Sequence, residues 1–299
     1  TVGVGERGDY YDASGAMRDM IQSHLLQLMA VMAMEPPNRY RATDLRAEQR
    51  KVLEAIRPIG PDCIAQHAVR GQYTGYRDEP KVDENSTTDT FAALKIYLDN
   101  WRWQGVPFYL RTGKKMARKL TQMVVQFKAP PHMLFRQMLE ACRTPTMRPP
   151  NRLVINVQPD EGIRLRFEGK VPGPGMEIQS VDMDFDYIEK FGGSIPEAYA
   201  TLLLDAMRGD QALFKDRHEI EAAWAAVMPV LDAWQAEDKK RNASPDVAIH
   251  TYEPGSWGPE AAEKLMGPGR RWRNPQGDST RAPSPDRPNA GQSTAEPSS

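Results

Sequence analysis

The sequence predicts an α+β fold, in which a large, mostly antiparallel β-sheet has helices packed on one face and a disordered C-terminal tail follows. Helical periodicity occupies the N-terminal part of the chain and returns after Gly193. The middle third instead contains short strand patterns separated by Pro-rich and Gly-rich turns. Most of these strands follow one another without a helical pattern between them, which favours antiparallel neighbours over a doubly wound nucleotide-binding domain.

The first predicted helix spans residues 14–35 and ends at Pro36, because proline disfavours a helical conformation in the residue before it. Apolar residues recur along it at intervals of three and four, the spacing of a buried helix face: Met17, Met20, Ile21, Leu25, Leu28 and Met32. A second helix is predicted over residues 89–103. A strand follows it in VPFYLRTG, where β-branched and aromatic residues are frequent.

The strands of the middle third begin with MVVQF and RLVINVQ. In the next two, residues 163–167 and 181–187, apolar and charged residues alternate strictly. Each of these strands should therefore have one buried and one exposed face. If the two strands pair, arginines of one can face aspartates of the other.

Two capping boxes mark the helices near the C-terminus. Ser194 and Glu197 have the Ser-x-x-Glu spacing, and Asp216 with Glu219 opens a further helix in a similar way. Pro229 should kink or split that further helix.

The end of the chain differs in composition from the rest. From about residue 270 it is polar and rich in Pro and Ser, and after Trp272 it has no large apolar residue. We therefore expect one domain over residues 1–272 and a disordered tail over residues 273–299.

The overall charge and the cysteines restrict the class of protein. Lys and Arg total 39 against 40 acidic residues, so we expect neither nucleic acid nor an anionic membrane as a partner. Cys63 and Cys142 lie far apart without metal-ligand spacing, which predicts no metal site and favours the reducing cytoplasm. The densest apolar stretch, residues 25–34, is shorter than the roughly 20 residues of a membrane span. The chain begins at Thr1 without a signal-peptide pattern, which indicates a fragment or a processed product.

Gly3, Gly5 and Gly8 have the G-x-G-x-x-G spacing of a dinucleotide-binding turn. Such a turn needs a preceding strand, but only two residues precede this one, and the carboxylates of Asp9 and Asp12 would repel a pyrophosphate. The pattern is better interpreted as a loop that leads into a helix.

His24 and Asp19 are the candidate catalytic pair of the first helix. His24 falls on the apolar stripe, where a partly buried core histidine is the commoner interpretation and a proton-transfer residue the alternative. On an α-helix, five residues at about 100° each separate the two side chains by roughly 140°. They could line one cleft, but a separate acid would be needed to orient His24.

Five cations occupy the nine residues between the strand in VPFYLRTG and the strand in MVVQF, namely Arg111, Lys114, Lys115, Arg118 and Lys119. A loop with this charge could clamp an anion. A solvated basic turn explains the same residues equally well. Nucleic acid is a weaker interpretation, because no aromatic residues alternate with the charges.

Taken together, these stretches closely resemble the C-terminal α+β domain of the glucose-6-phosphate dehydrogenase family. The similarity is carried by RGDYYDASGAMRDMIQSHLLQLMAVMAMEPP at residues 7–37, STTDTFAALKIYLDNWRWQGVPFYLRTGKKM at 86–116 and LVINVQPDEGI at 153–163. It continues through PEAYATLLLDAMRGDQALF and covers nearly everything up to about residue 272.

The resemblance implies a role for each matching residue. His24 corresponds to the family's general base, which takes the proton of the sugar's anomeric hydroxyl. Asp19 corresponds to an aspartate that binds a sugar hydroxyl, and Lys114 and Lys119 correspond to basic substrate contacts. Gln158 matches a glutamine that lies nearby in some members.

The resemblance also implies NADP as cofactor, glucose 6-phosphate as substrate in the pentose phosphate pathway, and a homo-oligomer that associates through the sheet. The family's Rossmann domain and the segment that orients the base are absent from this sequence, so we expect the chain alone to be inactive. The alternative is a non-catalytic module for sugar-phosphate binding or dimerisation. Ser23 departs from the family, which usually has Asn there.

Overall fold

A computed structural model describes residues 2–128, 150–174, 177–192, 198–243, 249–267 and 270–275. The helices are α1 (Gly8–Ala16), a π-helical segment (Met17–Leu25), α2 (Leu26–Ala33), α3 (Ala42–Glu54), α4 (Ile64–His67), α5 (Tyr187–Phe191), α6 (Ala198–Arg208) and α7 (Arg217–Ala243). The strands are β1 (Ala68–Tyr73), β2 (Phe91–Tyr97), β3 (Pro107–Gly113), β4 (Thr121–Gln126), β5 (Arg152–Gln158), β6 (Gly162–Lys170), β7 (Ile178–Asp186) and β8 (His250–Tyr252). Short 3₁₀ turns occupy Gly5–Arg7, Pro61–Cys63, Tyr76–Asp78 and Glu260–Met266.

The strands form two four-stranded sheets with the orders β3-β2-β1-β8 and β4-β5-β6-β7. The pairing is antiparallel except for β8, which runs parallel to β1. The predicted α+β class and its mostly antiparallel pairing are thus confirmed, although the strands form two sheets instead of one large sheet. The π-helical segment, α2, α3 and α7 pack with β2 in the main hydrophobic core.

Residues 89–103 were predicted to be a helix, and this prediction is wrong, because they contain β2 and a turn. β2 pairs with β1 on one side and with β3 on the other. Ala92 and Ala93 are both fully buried although they point to opposite faces of the sheet. A short apolar run fits a buried central strand as well as a buried helix. Here the run is a strand because it pairs with both β1 and β3.

The run predicted as one α-helix from residue 14 to residue 35 has three parts. Its middle part is π-helical, with hydrogen bonds across five residues, such as the bond from the Leu26 N–H to the Ile21 carbonyl. This wider turn shifts the buried face by one position along the chain. Met17 and Ile21 are buried as predicted, but the residues that follow them in the core are Leu26, Met29 and Ala33. The predicted core residues Leu25, Leu28 and Met32 are only partly buried.

The predicted pairing of charges in the second sheet is confirmed. In the register of β6 and β7, Arg164 lies opposite Asp184 and Arg166 lies opposite Asp182. The guanidinium of Arg166 donates two hydrogen bonds to Asp182, at 2.7 and 2.6 Å. This contact holds the pKa of the Asp182 carboxyl below its ordinary value.

The capping box of α7 is also confirmed. Asp216 Oδ1 accepts the Glu219 N–H at 2.9 Å, and Glu219 Oε2 accepts the Asp216 N–H at 3.1 Å. The helix continues through Pro229 and is not split there. The predictions for Ser194 with Glu197, for Cys142 and for the tail beyond residue 275 fall outside the described residues. None of the helices in the described ranges is long and apolar enough to cross a membrane.

The Gly-rich stretch at the N-terminus forms a 3₁₀ turn that leads into α1. A Cβ atom on Gly8 would lie 2.1 Å from the carbonyl oxygen of Pro80. The backbone at Gly8 therefore packs closely against the loop that contains Pro80.

Helix α1 bends at Gly15, whose φ of 71° and ψ of 170° are not helical. This region of backbone conformation is open essentially to glycine alone. A Cβ atom at this position would lie 2.4 Å from Oδ1 of Asp89. Gly15 therefore serves two purposes, since it turns the chain and leaves room for a carboxylate.

We expect Gly15→Ala to lower the free energy of unfolding by about 2 kcal/mol, because a side chain is strained in this conformation and collides with Asp89. Urea unfolding of the protein measures the change. Gly60→Ala is the matched control, since Gly60 has a φ of −66° and open space around it. Equal losses at the two glycines would contradict the special requirement at Gly15.

Candidate active site

Asp19 and His24 lie on the π-helical segment, one turn apart. Because hydrogen bonds in a π-helix span five residues, residues five apart follow one another along the same face. The separation of roughly 140° that an α-helix would give is therefore wrong for this pair. His24 is exposed to solvent instead of partly buried. The Ser23 hydroxyl donates a hydrogen bond to the Asp19 carbonyl.

Lys114 is the partner of Asp19. Its Nζ lies 3.6 Å from Asp19 Oδ2, and each side chain is only about one-fifth exposed, 23% for Lys114 and 21% for Asp19. The same ammonium lies 4.7 Å from the ring centre of Tyr11, a distance typical of a cation–π contact. Burial raises the pKa of the Tyr11 hydroxyl well above its ordinary value, with Asp89 and Asp19 adding to the effect. The tyrosine is thus a neutral support for the lysine.

The backbone of the turn after β3 is held on both sides of Lys114. The Lys114 N–H donates to the Thr90 carbonyl at 2.9 Å, and the Tyr252 hydroxyl donates to the Lys114 carbonyl at 2.7 Å. Gly113 just before it packs tightly, because a Cβ atom there would lie 3.0 Å from the Phe91 ring. These contacts fix the point from which Lys114 reaches towards Asp19.

The five cations around this turn have different environments. Lys115 pairs with Glu79 at 2.6 Å. Arg111 lies against the rings of Trp257 and Trp272, 5.2 and 4.7 Å from their centres. Burial lowers the pKa of Arg111 to about 10. Two cations are thus taken up by contacts inside the protein.

The remaining two cations, Arg118 and Lys119, are exposed. Together with Lys114 and Gln158 they line a groove. Gln158 ends β5 and pairs in register with Thr121, two residues after Lys119. The apolar side chains that line the groove include four that the sequence pattern assigned to the core: Met20, Leu25, Leu28 and Met32.

The groove brings together most of the predicted site residues. Lys114, Lys119 and Gln158 line it directly, and Asp19 joins it through Lys114. Among the described residues that form its wall, His24 is not included. It lies one π-helical turn beyond Asp19 and faces solvent.

Asp89 is a residue of this site that the sequence reasoning missed. It is buried, and its Oδ2 accepts the Met17 N–H at 2.7 Å, at the start of the segment that carries Asp19 and His24. Burial raises its pKa to about 6. The sequence placed Asp89 at the start of a helix and therefore gave no signal of this contact.

The arrangement can perform two chemical tasks. Lys114 and Lys119 supply positive charge to a groove, which suits a small anionic ligand. His24 presents an exposed imidazole one π-helical turn beyond Asp19, a side chain of the kind that acts as a proton acceptor. The α+β fold thus presents basic side chains at a groove and an exposed histidine on a helical segment that contributes to the groove wall.

Comparison with known proteins identifies the family. The family model described as glucose-6-phosphate dehydrogenase, C-terminal domain, matches residues 1–273. Glucose-6-phosphate 1-dehydrogenase of Aggregatibacter actinomycetemcomitans is 44% identical over 288 residues, which is 93% of this chain and 55% of the relative. The enzyme of the same name from Treponema pallidum is 45% identical over 286 residues, covering 92% of this chain and 53% of the relative. This chain belongs to the glucose-6-phosphate dehydrogenase family.

Solved structures agree with this assignment. The crystal structure of glucose-6-phosphate 1-dehydrogenase from Mycobacterium avium is similar, with a TM-score of 0.75 and 38% identity over 92% of this chain and 54% of that one. A glucose-6-phosphate dehydrogenase in complex with its substrate glucose-6-phosphate gives a TM-score of 0.76 and 32% identity, over 91% of this chain and 54% of that one. The chain spans about half the length of the relatives that it matches.

The buried carboxyl of Asp89 should make stability depend on pH. Its pKa is higher in the folded state than in the unfolded state, so the folded protein loses stability as the pH rises from about 4 to about 6. We expect Asp89→Asn to remove this loss. The stability of the variant relative to wild type should then rise by up to about 3 kcal/mol between acidic and neutral pH. Urea unfolding of both proteins at pH 4.5 and pH 7.5 measures it, and a difference independent of pH would contradict it.

Proposed function

We propose that this chain is the substrate-binding C-terminal portion of an NADP-dependent glucose-6-phosphate dehydrogenase, which oxidises glucose 6-phosphate to 6-phosphogluconolactone in the pentose phosphate pathway. The observation that carries the proposal is the contact of Asp19 with Lys114 on the helical turn before His24. It lies in a chain whose family model matches residues 1–273.

In this proposal His24 is the general base. It accepts the proton of the anomeric hydroxyl, the part of the oxidation that this chain's own residues perform. The exposed position of the imidazole supports the role, because a substrate can reach it. The imidazolium that forms needs an anionic partner, and we place that acid outside this chain.

The other site residues bind the sugar phosphate. The Asp19 carboxylate accepts a sugar hydroxyl, and its pairing with Lys114 fixes both groups before the substrate arrives. Lys114 and Lys119 supply charge for the phosphate, and Gln158 contributes a weaker polar contact at the same groove. The apolar wall of the groove limits the water around these contacts.

The Gly-rich stretch near the N-terminus does not fit a dinucleotide. The Pro80 carbonyl oxygen lies 2.1 Å from the position of a Cβ atom on Gly8, so that side of the Gly8 backbone is covered by another loop. The carboxylate of Asp12 accepts a hydrogen bond from the Tyr76 hydroxyl at 3.0 Å. We therefore propose that NADP is held mainly by a domain outside this chain, and that the chain has little activity without it.

We further propose that residues 1–272 act as one unit, with 273–299 as a tail, in a cytoplasmic homo-oligomer that binds neither nucleic acid nor membranes. Association through the sheet is supported by exposed apolar side chains on β7, where Val181 is 41% and Met183 59% exposed. The alternative function is a non-catalytic sugar-phosphate-binding or dimerisation module. An assay of glucose 6-phosphate-dependent NADP reduction, with this chain alone and with a cofactor domain restored, distinguishes the two.

We expect His24→Asn in the full-length protein to abolish turnover while glucose 6-phosphate still binds, because the proton acceptor is lost and the ligand contacts remain. Steady-state kinetics measure turnover, and calorimetry measures binding. A variant with near-normal kcat would contradict the assignment of the base.

We expect Lys119→Ala to raise KM for glucose 6-phosphate by about tenfold, and KM for unphosphorylated glucose much less, because only the former carries the phosphate. Lys51→Ala on α3 is the matched control, since that lysine is also exposed but lies away from the groove. Equal effects of Lys119→Ala on the two sugars would show that Lys119 does not contact the phosphate.

A further inference from the structure

Asp89 contacts the beginning of the helical run that carries Asp19 and His24. Its carboxylate accepts the Met17 N–H at 2.7 Å, and its backbone carbonyl accepts the Ala16 N–H, also at 2.7 Å. The first N–H groups of a helix have no partner within the helix. Asp89 supplies two such partners directly after the bend at Gly15, so it fixes where the run begins and in which direction it points.

The residue after Asp89 holds the other half of the site. The Thr90 carbonyl accepts the Lys114 N–H at 2.9 Å, and the Thr90 hydroxyl lies within hydrogen-bond distance of the Tyr252 hydroxyl, at 3.1 Å. The Thr90 N–H in turn donates to the Gly71 carbonyl at 2.9 Å, which anchors it to β1. Two consecutive residues just before β2 thus hold the backbone on both sides of the contact between Asp19 and Lys114.

We propose that Asp89 is a positioning residue for the reaction: it holds the helical run with Asp19 and His24 in register with Lys114. This inference rests on the proposed function. Asp89 acts through the Met17 N–H and lies away from the groove lining among the described residues. A carboxylate suits this task, because a charged acceptor binds the N-terminus of a helix more strongly than a neutral one.

The charged and ionisable neighbours of Asp89 come from several elements of the fold. The cations whose charge acts on it are Arg18, on the π-helical segment, and Arg70, on β1. Three tyrosines also interact with it electrostatically: Tyr11, Tyr76 and Tyr252. Glycine at position 15 completes the arrangement, since any larger residue would displace the carboxylate.

The test compares wild type, Asp89→Asn and Asp89→Ala in the full-length protein. The readouts are kcat and KM for glucose 6-phosphate, its Kd by calorimetry without NADP, thermal stability, and amide hydrogen exchange of residues 17–25. Glu219→Gln is the matched control, because Glu219 is also a buried acid that caps a helix, and it is not among the described residues that line the groove.

We expect Asp89→Asn to raise KM and Kd by about tenfold, to lower kcat and to accelerate exchange in residues 17–25, without a loss of thermal stability at pH 7.5. Asp89→Ala should have a larger effect on the same quantities. Glu219→Gln should lower thermal stability and leave KM and Kd unchanged. This separation of ligand binding from stability would not arise if Asp89 were merely structural.

Two results would overturn the proposal. One is a KM and Kd for Asp89→Asn within twofold of wild type, which remains informative if Asp89→Ala fails to fold. The other is unchanged exchange in residues 17–25. If the wild-type protein does not reduce NADP with glucose 6-phosphate, the proposed function fails, while the exchange measurement still decides whether Asp89 holds the helical run.

Discussion

The hydrogen bond from the Met17 N–H to the Asp89 carboxylate is the contact on which the geometry of the candidate site depends. It exists because the chain turns at Gly15 in a conformation that other residues avoid, and because the missing side chain leaves room for the carboxylate. Burial of the acid opposes its charge, as the raised pKa shows. The fold accepts this cost at the place where the helix of the site begins, a pattern typical of functional regions.

The π-helical segment decides which side chains face the groove. A turn that spans five residues moves every later side chain by one position relative to an α-helix. Leu26 and Ala33 therefore lie in the core, while Leu25 and Leu28 line the groove. The same segment carries Asp19 and His24 one π-helical turn apart, with Asp19 paired with Lys114 and His24 exposed to solvent. A single irregularity of the backbone thus decides both which apolar residues line the groove and how the polar pair is spaced.

The cations near the turn after β3 illustrate how the fold assigns different tasks to similar residues. Arg111 is held between two tryptophans and Lys115 is paired with Glu79. Lys114 meets a carboxylate and an aromatic face, and Lys119 remains exposed at the groove. Arg118 is exposed at the groove as well, so the five cations differ in how far contacts inside the protein already occupy their charge. Charge density in a sequence therefore overstates the charge that a site presents.

The sequence by itself determined the α+β class, the pairing of arginines with aspartates across β6 and β7, and the capping box of Asp216 with Glu219. These features rest on local patterns, in which spacing alone fixes which side chains meet. It also indicated the family, through motifs that contain Asp19, His24 and Lys114. Only the tertiary structure decided that residues 91–97 form a strand, that residues 17–25 form a π-helix and that Asp89 contacts Met17. The strand and the contact of Asp89 with Met17 depend on partners distant in the chain, and the apolar spacing of residues 17–25 carries no signal that separates a π-helix from an α-helix.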